Sequence, residues 1–307
     1  MSVFVATTSF AVSSSEPLDK LRDAGYKVDV NNWGRKLNEE ELLKALSNCS
    51  GVIAGTEVYS AKVLEMLNKL KVISRLGVGF DNIDILASEK EGIKVFTTET
   101  SPAPAVAELT LGLILDVLRK ITFHNNQMKA GTWKKNMGFL LSGKTLGIIG
   151  LGTIGKKLVE ITKGMNLDYI AFDKLEDNNF VEENKVKYCS FDDLIKKSDI
   201  LSIHLSLSDK TRGLIDSNAL EKMKPTAVLI NTSRGECINE DALIKALDEK
   251  LLAGAGLDVY SNEPYKGSLL EYDNVICTPH IGAYAREIRV KMEIEAVENL
   301  IKGLANE

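Results

Sequence analysis

At 307 residues with 44% apolar side chains, the chain has the length of about two domains and enough material for two packed cores. Its 38 basic and 43 acidic residues are interspersed and leave a net charge of −5, which gives no support to a nucleic-acid or anionic-membrane partner. The first lysine is Lys20, so no basic leader region precedes an apolar one, and no apolar run approaches the roughly 18 residues of a spanning helix; a cytoplasmic protein is expected. Cys49, Cys189, Cys237 and Cys277 are scattered without a C-x-x-C pair, which argues against a disulfide framework and a zinc site, and no metal is expected.

The first hundred residues alternate short apolar runs with helical patterns. Strands are expected at 3–5, 27–30, 51–54, 72–74 and 94–96. Helices are expected at 16–24, closed by Gly25; at 39–46, capped by Asn38; from Ser60 to position 67; and at 85–90, closed by Gly92. Such alternation builds a parallel, doubly wound sheet. Between the fourth and fifth strands, Gly77-Val78-Gly79 is either an anion cradle of successive N–H groups or a plain glycine-rich turn. Arg75, just before it, is either a paired surface charge or a carboxylate or phosphate ligand.

Thr100 to Pro104 breaks the pattern, and residues 105–119 then form a helix that is apolar on nearly every side. Such a helix must be covered. The chain's own core and a subunit interface are equally good covers, and a homodimer is expected.

Residues 145–155, TLGIIGLGTIG, run from an apolar strand into Gly150, Gly152 and Gly155 in the spacing G-x-G-x-x-G. The first glycine permits the tight turn, the second lets backbone approach a pyrophosphate, and the third lets the next helix pack on the sheet. That helix is expected at 156–165 and presents free N–H groups to phosphate. A second strand at 169–172 ends in Asp173, placed to accept both hydroxyls of an adenosine ribose and to repel a 2′-phosphate. The cofactor read from these residues is NAD.

Strands follow near 186 and at 200–205, 227–231, 255–259 and 275–277, with helices at 192–197, 217–223 and 240–249 and a closing helix at 286–301. Ligands of an open parallel sheet sit beyond the carboxyl ends of its strands. Arg234, Glu263 and His280 each follow one of the last three strands. Oxidising a 2-hydroxy acid moves a hydride to NAD and a proton to a base. Histidine, with an unperturbed pKa of about 6.5, is suited to be that base, so His280 takes the role. A carboxylate on its other ring nitrogen fixes the tautomer and supports the imidazolium, which is Glu263. A guanidinium offers the substrate carboxylate two parallel bonds, which is Arg234. Asp258 is either a strand-end turn residue or an acceptor for the nicotinamide amide. Thr211 and Thr232 are loop hydroxyls or cofactor contacts, and His124 and His204 read as structural.

GLGTIG with Asp173, NTSRGE, LDVYSNEP and TPHIG, in this order and spacing, resemble the D-isomer-specific 2-hydroxyacid dehydrogenases, and among them the short phosphoglycerate dehydrogenase-like members. The likeness spans nearly the whole chain, including SRLGVGFDNID and the AVAEL helix. It implies an α/β fold of two doubly wound parallel-sheet domains. In it a Rossmann NAD-binding domain (100–283) is inserted into a discontinuous, flavodoxin-like substrate domain (1–99 and 284–307). It also implies a catalytic trio of Arg234, Glu263 and His280, and NAD contacts at Val106, Ile154, Asp173, Thr232 and Asp258. Substrate carboxylate binding falls to the backbone of Gly77, Val78 and Gly79, and a dimer is built on the 105–119 helix.

Several positions depart from that pattern. Ser206 replaces a common proline and Ala105 a common serine, and Tyr284-Ala285 replace small polar residues close to His280, which bears on substrate size. Glu263, in place of the glutamine of related formate dehydrogenases, favours a 2-hydroxy acid over formate. Arg75 tilts the expected substrate toward D-3-phosphoglycerate. Reduction of glyoxylate, hydroxypyruvate or another small 2-keto acid is the alternative, and an NAD-sensing corepressor-like binding protein is the alternative of another class. Ending at Glu307, the chain is expected to lack the regulatory C-terminal domain of longer phosphoglycerate dehydrogenases.

Overall fold

The computed structural model describes residues 1–305, which form two compact units: Met1–Pro102 with the C-terminal stretch from Ala283, and Ala103–Gly282.

The first unit runs β1 (Ser2–Val5), α1 (Glu16–Asp23), β2 (Lys27–Val30), α2 (Glu39–Leu46), β3 (Gly51–Ala54), α3 (Ala61–Glu65), β4 (Val72–Arg75), α4 (Ile85–Lys90) and β5 (Lys94–Thr97). Its sheet is parallel in the order β2-β1-β3-β4-β5, the flavodoxin-like arrangement. Alternate residues of each strand feed opposite faces. Phe4, Val52 and Ile73 pack under α2 and α3, while Val3, Val5, Ile53 and Val72 pack against Met292, Ala296 and Leu300 of the chain's last helix. Burial of both faces explains why these strands read as continuous apolar runs. The expected caps form: Asn38 Oδ1 accepts from Glu41 N in a full capping box, and Ser60 caps α3.

The second unit opens with α5 (Ala103–Arg119) and α6 (Ile121–Lys129). It continues through β6 (Thr145–Ile149), α7 (Thr153–Thr162), β7 (Asp168–Phe172), α8 (Asn178–Asn184), β8 (Val186–Tyr188), α9 (Phe191–Lys197) and β9 (Ile200–Ile203). Then come α10 (Ser217–Lys222), β10 (Val228–Asn231), α11 (Glu240–Asp248), β11 (Gly254–Leu257) and β12 (Val275–Cys277). The parallel order β12-β11-β10-β9-β6-β7-β8 reverses direction between β6 and β9, which makes the ends of those two strands the switch point of a Rossmann sheet. After it, α12 (Arg286–Ala305) returns to the first unit, where the Ser74 hydroxyl donates to Ala296 O at 2.7 Å.

Three differences from the sequence reading have physical causes. α6 buries none of its residues, so it carries no apolar stripe to read. α8 is a short polar helix started by the Asp177 side chain, which accepts from Phe180 N. α7 begins at Thr153 because Gly152 already serves as its N-cap. The apolar α5 buries nine of its 17 residues against its own unit, packing on α7 and on β10 to β12. Its cover is therefore mostly internal. The exposed apolar side chains lie just after it: Ile121, Met128, Trp133, Met137 and Leu140. No helix among the described residues is long and apolar enough to cross a membrane.

Asp199 fastens the start of β6 to β9, accepting from Thr145 N at 2.9 Å and from Lys224 Nζ at 2.9 Å. Partial burial acts to raise this carboxyl, but the amide and the ammonium outweigh it and hold it below its usual value. A carboxyl depressed on folding stabilises the protein above its unfolded pKa, and the gain is lost as pH falls through the folded value. Asp199→Asn is expected to cost about 1 kcal/mol at neutral pH. The difference from the parent should vanish in denaturant melts run in acid; a deficit that persists there would contradict the ionic clamp.

Candidate active site

The glycine loop is shaped by close approaches. Gly150 has φ +91°, and a Cβ there would lie 2.4 Å from His204 O at the end of β9. A Cβ on Gly155 would lie 2.5 Å from Gly150 O, so only glycine lets α7 seat on the turn. Gly152 differs: nothing lies within 4 Å of where its Cβ would stand, and as N-cap of α7 it supplies no side chain to the free N–H groups. The loop thus offers uncapped amides beside open space, the condition an anion needs. Just past β7, Asp173 accepts from Leu151 N at 2.6 Å through one oxygen and from Leu175 N at 3.0 Å through the other. It ties the glycine loop to the end of the neighbouring strand.

His204 follows β9, with Nε2 2.9 Å from Ser202 Oγ. Burial pushes its imidazole down to about 4, so it is neutral at pH 7 and is no candidate for the acid/base. Ile154 lies in the first turn of α7. Val106 is buried on α5 against Gly282. Thr232 Oγ1 lies 2.9 Å from Thr110 Oγ1, whose own hydroxyl donates to Val106 O. The Thr211 hydroxyl is used within its loop, donating to Ser206 O at 2.8 Å and accepting from Ser208 N at 2.8 Å.

Neighbouring strands β10, β11 and β12 deliver Arg234, Glu263 and His280. After β10, Asn231 Oδ1 accepts from both the amide and the hydroxyl of Ser233, and its Nδ2 donates to Arg234 O at 2.8 Å. Arg234 Nη1 in turn donates to Ser233 O at 2.8 Å. Next comes Gly235, where a Cβ would sit 2.0 Å from the Tyr260 carbonyl carbon, so the β10 and β11 loops touch backbone to backbone. In the β11 loop, Glu263 Oε1 accepts from Tyr260 N at 3.2 Å. His280 Nδ1 lies 3.1 and 2.9 Å from the two Glu263 oxygens, while Nε2 has no hydrogen-bond partner among the described residues. The side chains are 39% and 25% exposed, so the pair is within reach of a ligand.

Asp258 lies one residue beyond β11 and is 1% exposed. Thr278 Oγ1 and Ile281 N donate to its Oδ1 at 2.6 and 2.8 Å, and Gly282 N donates to its Oδ2 at 2.8 Å. Burial raises this carboxyl above its usual value, opposed by those donors and by the nearby His280. Arg75 and Gly77 to Gly79 belong to the other unit, at the carboxyl end of β4. Gly77 has φ +145°, and the Arg75 guanidinium turns back over it to donate to Leu76 O.

Sequence reasoning missed Asn231, Gly235, Tyr260 and Thr278 as shapers of this site. Asn231 followed two residues later by a serine is an Asx-turn signal. The other three act through contacts between strand ends distant in sequence, for which a single sequence carries no local sign.

Residues 111–282 match the family described as D-isomer specific 2-hydroxyacid dehydrogenase, NAD binding domain. A hydroxypyruvate reductase of Thermotoga maritima is 35% identical over 304 residues, covering 96% of this chain and 98% of the relative. The chain belongs to the D-isomer specific 2-hydroxyacid dehydrogenase family. The dehydrogenase is also 35% identical to a D-3-phosphoglycerate dehydrogenase of Archaeoglobus fulgidus, over 95% of this chain but 56% of that protein, so it spans little more than half of that relative. Among solved structures, a phosphoglycerate oxidoreductase of Vibrio cholerae is similar at a TM-score of 0.90 and 28% identity, over 100% of this chain and 99% of the other. The cofactor of the dehydrogenase is NAD, and the open amides at Gly152 and the carboxylate at the end of β7 fit it.

Proposed function

We propose that this dehydrogenase oxidises D-3-phosphoglycerate at its 2-hydroxyl, with His280 as acid/base. The observation that carries the chemistry is the Glu263 carboxylate on Nδ1 of His280, which leaves Nε2 to exchange a proton with substrate. NAD, when bound, would supply the acceptor for the hydride leaving C2. His280 takes the hydroxyl proton, and Glu263 stabilises the imidazolium that results. Arg234 offers the substrate carboxylate a fork of two N–H donors and polarises the neighbouring oxygen. Gly150, Gly152 and Gly155 with the first amides of α7 hold the pyrophosphate, and Asp173 accepts from the ribose hydroxyls. We assign the carboxylate also to the amides of Gly77 to Gly79, and the distal phosphate to Arg75, whose guanidinium must turn away from Leu76 O to reach it.

Reduction of hydroxypyruvate or glyoxylate runs the same chemistry in reverse. It is favoured by the hydroxypyruvate reductase matched over 98% of its length. A panel of 2-hydroxy and 2-keto acids followed by NADH absorbance separates the two: D-3-phosphoglycerate is expected to give the highest kcat/KM, with that preference lost in Arg75→Ala. Faster turnover of hydroxypyruvate, unaffected by Arg75→Ala, would select the second reading.

Glu263→Gln removes the negative charge that favours the protonated ring. Without the carboxylate that selects the His280 tautomer, kcat/KM at neutral pH is expected to fall by about tenfold or more; turnover equal to the parent's would remove Glu263 from this role.

We also infer a homodimer. Because α5 is covered from within its unit, the surface assigned to the second copy is the exposed apolar set Ile121, Met128, Trp133, Met137 and Leu140. Sedimentation at micromolar concentration should give about twice the 33.7 kDa chain mass, reverting to one chain mass in a Trp133→Lys, Met137→Lys variant. Sedimentation of the parent protein at a single chain mass would reject the dimer.

A further inference from the structure

His280 is one of six non-glycine residues with positive φ among the described residues, at +55°, and it is the one that carries chemistry. The left-handed region is uncommon for side-chain-bearing residues and costs about 1 kcal/mol or more, which local contacts must offset. The peptide around it turns tightly: His280 N donates to Thr278 O at 3.0 Å, and Thr278 N donates to Leu257 O at 2.9 Å. These two bonds fix where the turn begins. What fixes its far side is the buried carboxylate of Asp258, which takes the Thr278 hydroxyl before His280 and the Ile281 and Gly282 amides after it.

We propose that Asp258 is a positioning residue for His280, its carboxylate holding the 278–282 turn in the one backbone conformation that sets Nδ1 against Glu263. The donors it gathers are contributed from both sides of the histidine, so the backbone that aims the imidazole cannot shift without breaking bonds to a buried carboxylate. Three donors already fill most of the roughly four lone-pair directions of a carboxylate. Any bond from the nicotinamide amide is therefore an addition to this clamp rather than its reason. The Gly282 position fits the same reading, since a Cβ there would stand 3.2 Å from Asp258 Oδ2 and 3.4 Å from Val106. The amide is held where side chains leave no slack.

The inference rests on His280 being the acid/base, and its test separates the two. The protein has three histidines, so the imidazole NMR signals of the full-length enzyme, with and without NADH, resolve His280 from His124 and His204. Asp258→Asn keeps the shape of the side chain but turns an N–H group toward backbone donors. Its His280 signal should broaden or split while the other two stay. In the same variant kcat should fall by about tenfold or more, with the NADH dissociation constant from protein fluorescence changed by less than about threefold. Thr278→Val, which keeps the carboxylate and removes one donor, should show the same changes more weakly, and decides the matter if Asp258→Asn does not fold. A sharp, unmoved His280 signal in Thr278→Val, or a rise in the NADH dissociation constant with kcat retained in Asp258→Asn, would overturn the clamp. Loss of turnover in His280→Ala tests the acid/base assignment separately, because the NMR signal reports the turn whichever residue carries the proton.

Discussion

The contact on which the proposed chemistry depends is the Glu263 carboxylate against Nδ1 of His280. An imidazole has two tautomers and two ring faces, and in water nothing selects among them. A carboxylate on Nδ1 selects the proton's place on that nitrogen and leaves Nε2 as the acceptor. A fixed tautomer suits proton transfer in either direction, so in the proposed mechanism the same pair would serve oxidation and reduction. Every other feature of the site is a means of bringing this pair together and placing a cation and a cofactor beside it.

Those means are local and few. Arg234, Glu263 and His280 leave three adjacent strands, which guarantees proximity only to within the length of a loop. Gly235 removes the remaining slack by letting the Tyr260 backbone press against the residue after Arg234. Asn231 shapes the turn before it and Tyr260 N holds Glu263. At His280 the left-handed backbone costs about 1 kcal/mol or somewhat more. Each hydrogen bond to an ionised acceptor contributes about 1.5–3 kcal/mol, so the donors gathered by Asp258 outweigh that strain with margin.

What could be read from the chain follows from how far each cause reaches along it. The central strands of both sheets, such as β3, β9 and β10, were legible because they are buried on two faces and read as apolar runs. Gly150, Gly152 and Gly155 were legible because a phosphate turn is built from residues close in sequence, and Asp173 because it closes the very next strand. Arg234, Glu263 and His280 stood out as chemistry-bearing types after strand ends. α6 and α8 were not legible, since neither presents a periodic apolar face. Tyr260 and Thr278 were invisible for another reason: their parts are assigned by neighbours 18 to 20 positions away, such as Tyr260 on Thr278 O and Thr278 on Asp258. Asp258 was seen, with two readings open, and only the positions of its donors distinguish an anchor of the turn from a simple cofactor acceptor.

The first unit applies the same economy in another place. Arg289 and Glu293, one turn apart on α12, form a buried ion pair at 2.8 Å. Burial raises the Glu293 carboxyl, opposed by the Ala11 amide and by Arg289. Losing one partner of such a pair costs about 3–5 kcal/mol, a large share of a domain's net stability. The pair is used to anchor the loop after β1: Glu293 accepts from Ala11 N, Ala11 being in the left-handed region, and Arg289 donates to Ser9 Oγ. Ser9 in turn meets the Tyr284 hydroxyl at 2.7 Å, and the Arg289 guanidinium lies 4.7 Å from the Tyr284 ring. Tyr284 is a bulky, half-exposed residue four positions after His280. The buried charge pair thus holds both this ring and the loop it meets, so the side chain is anchored in the unit although half of it faces solvent.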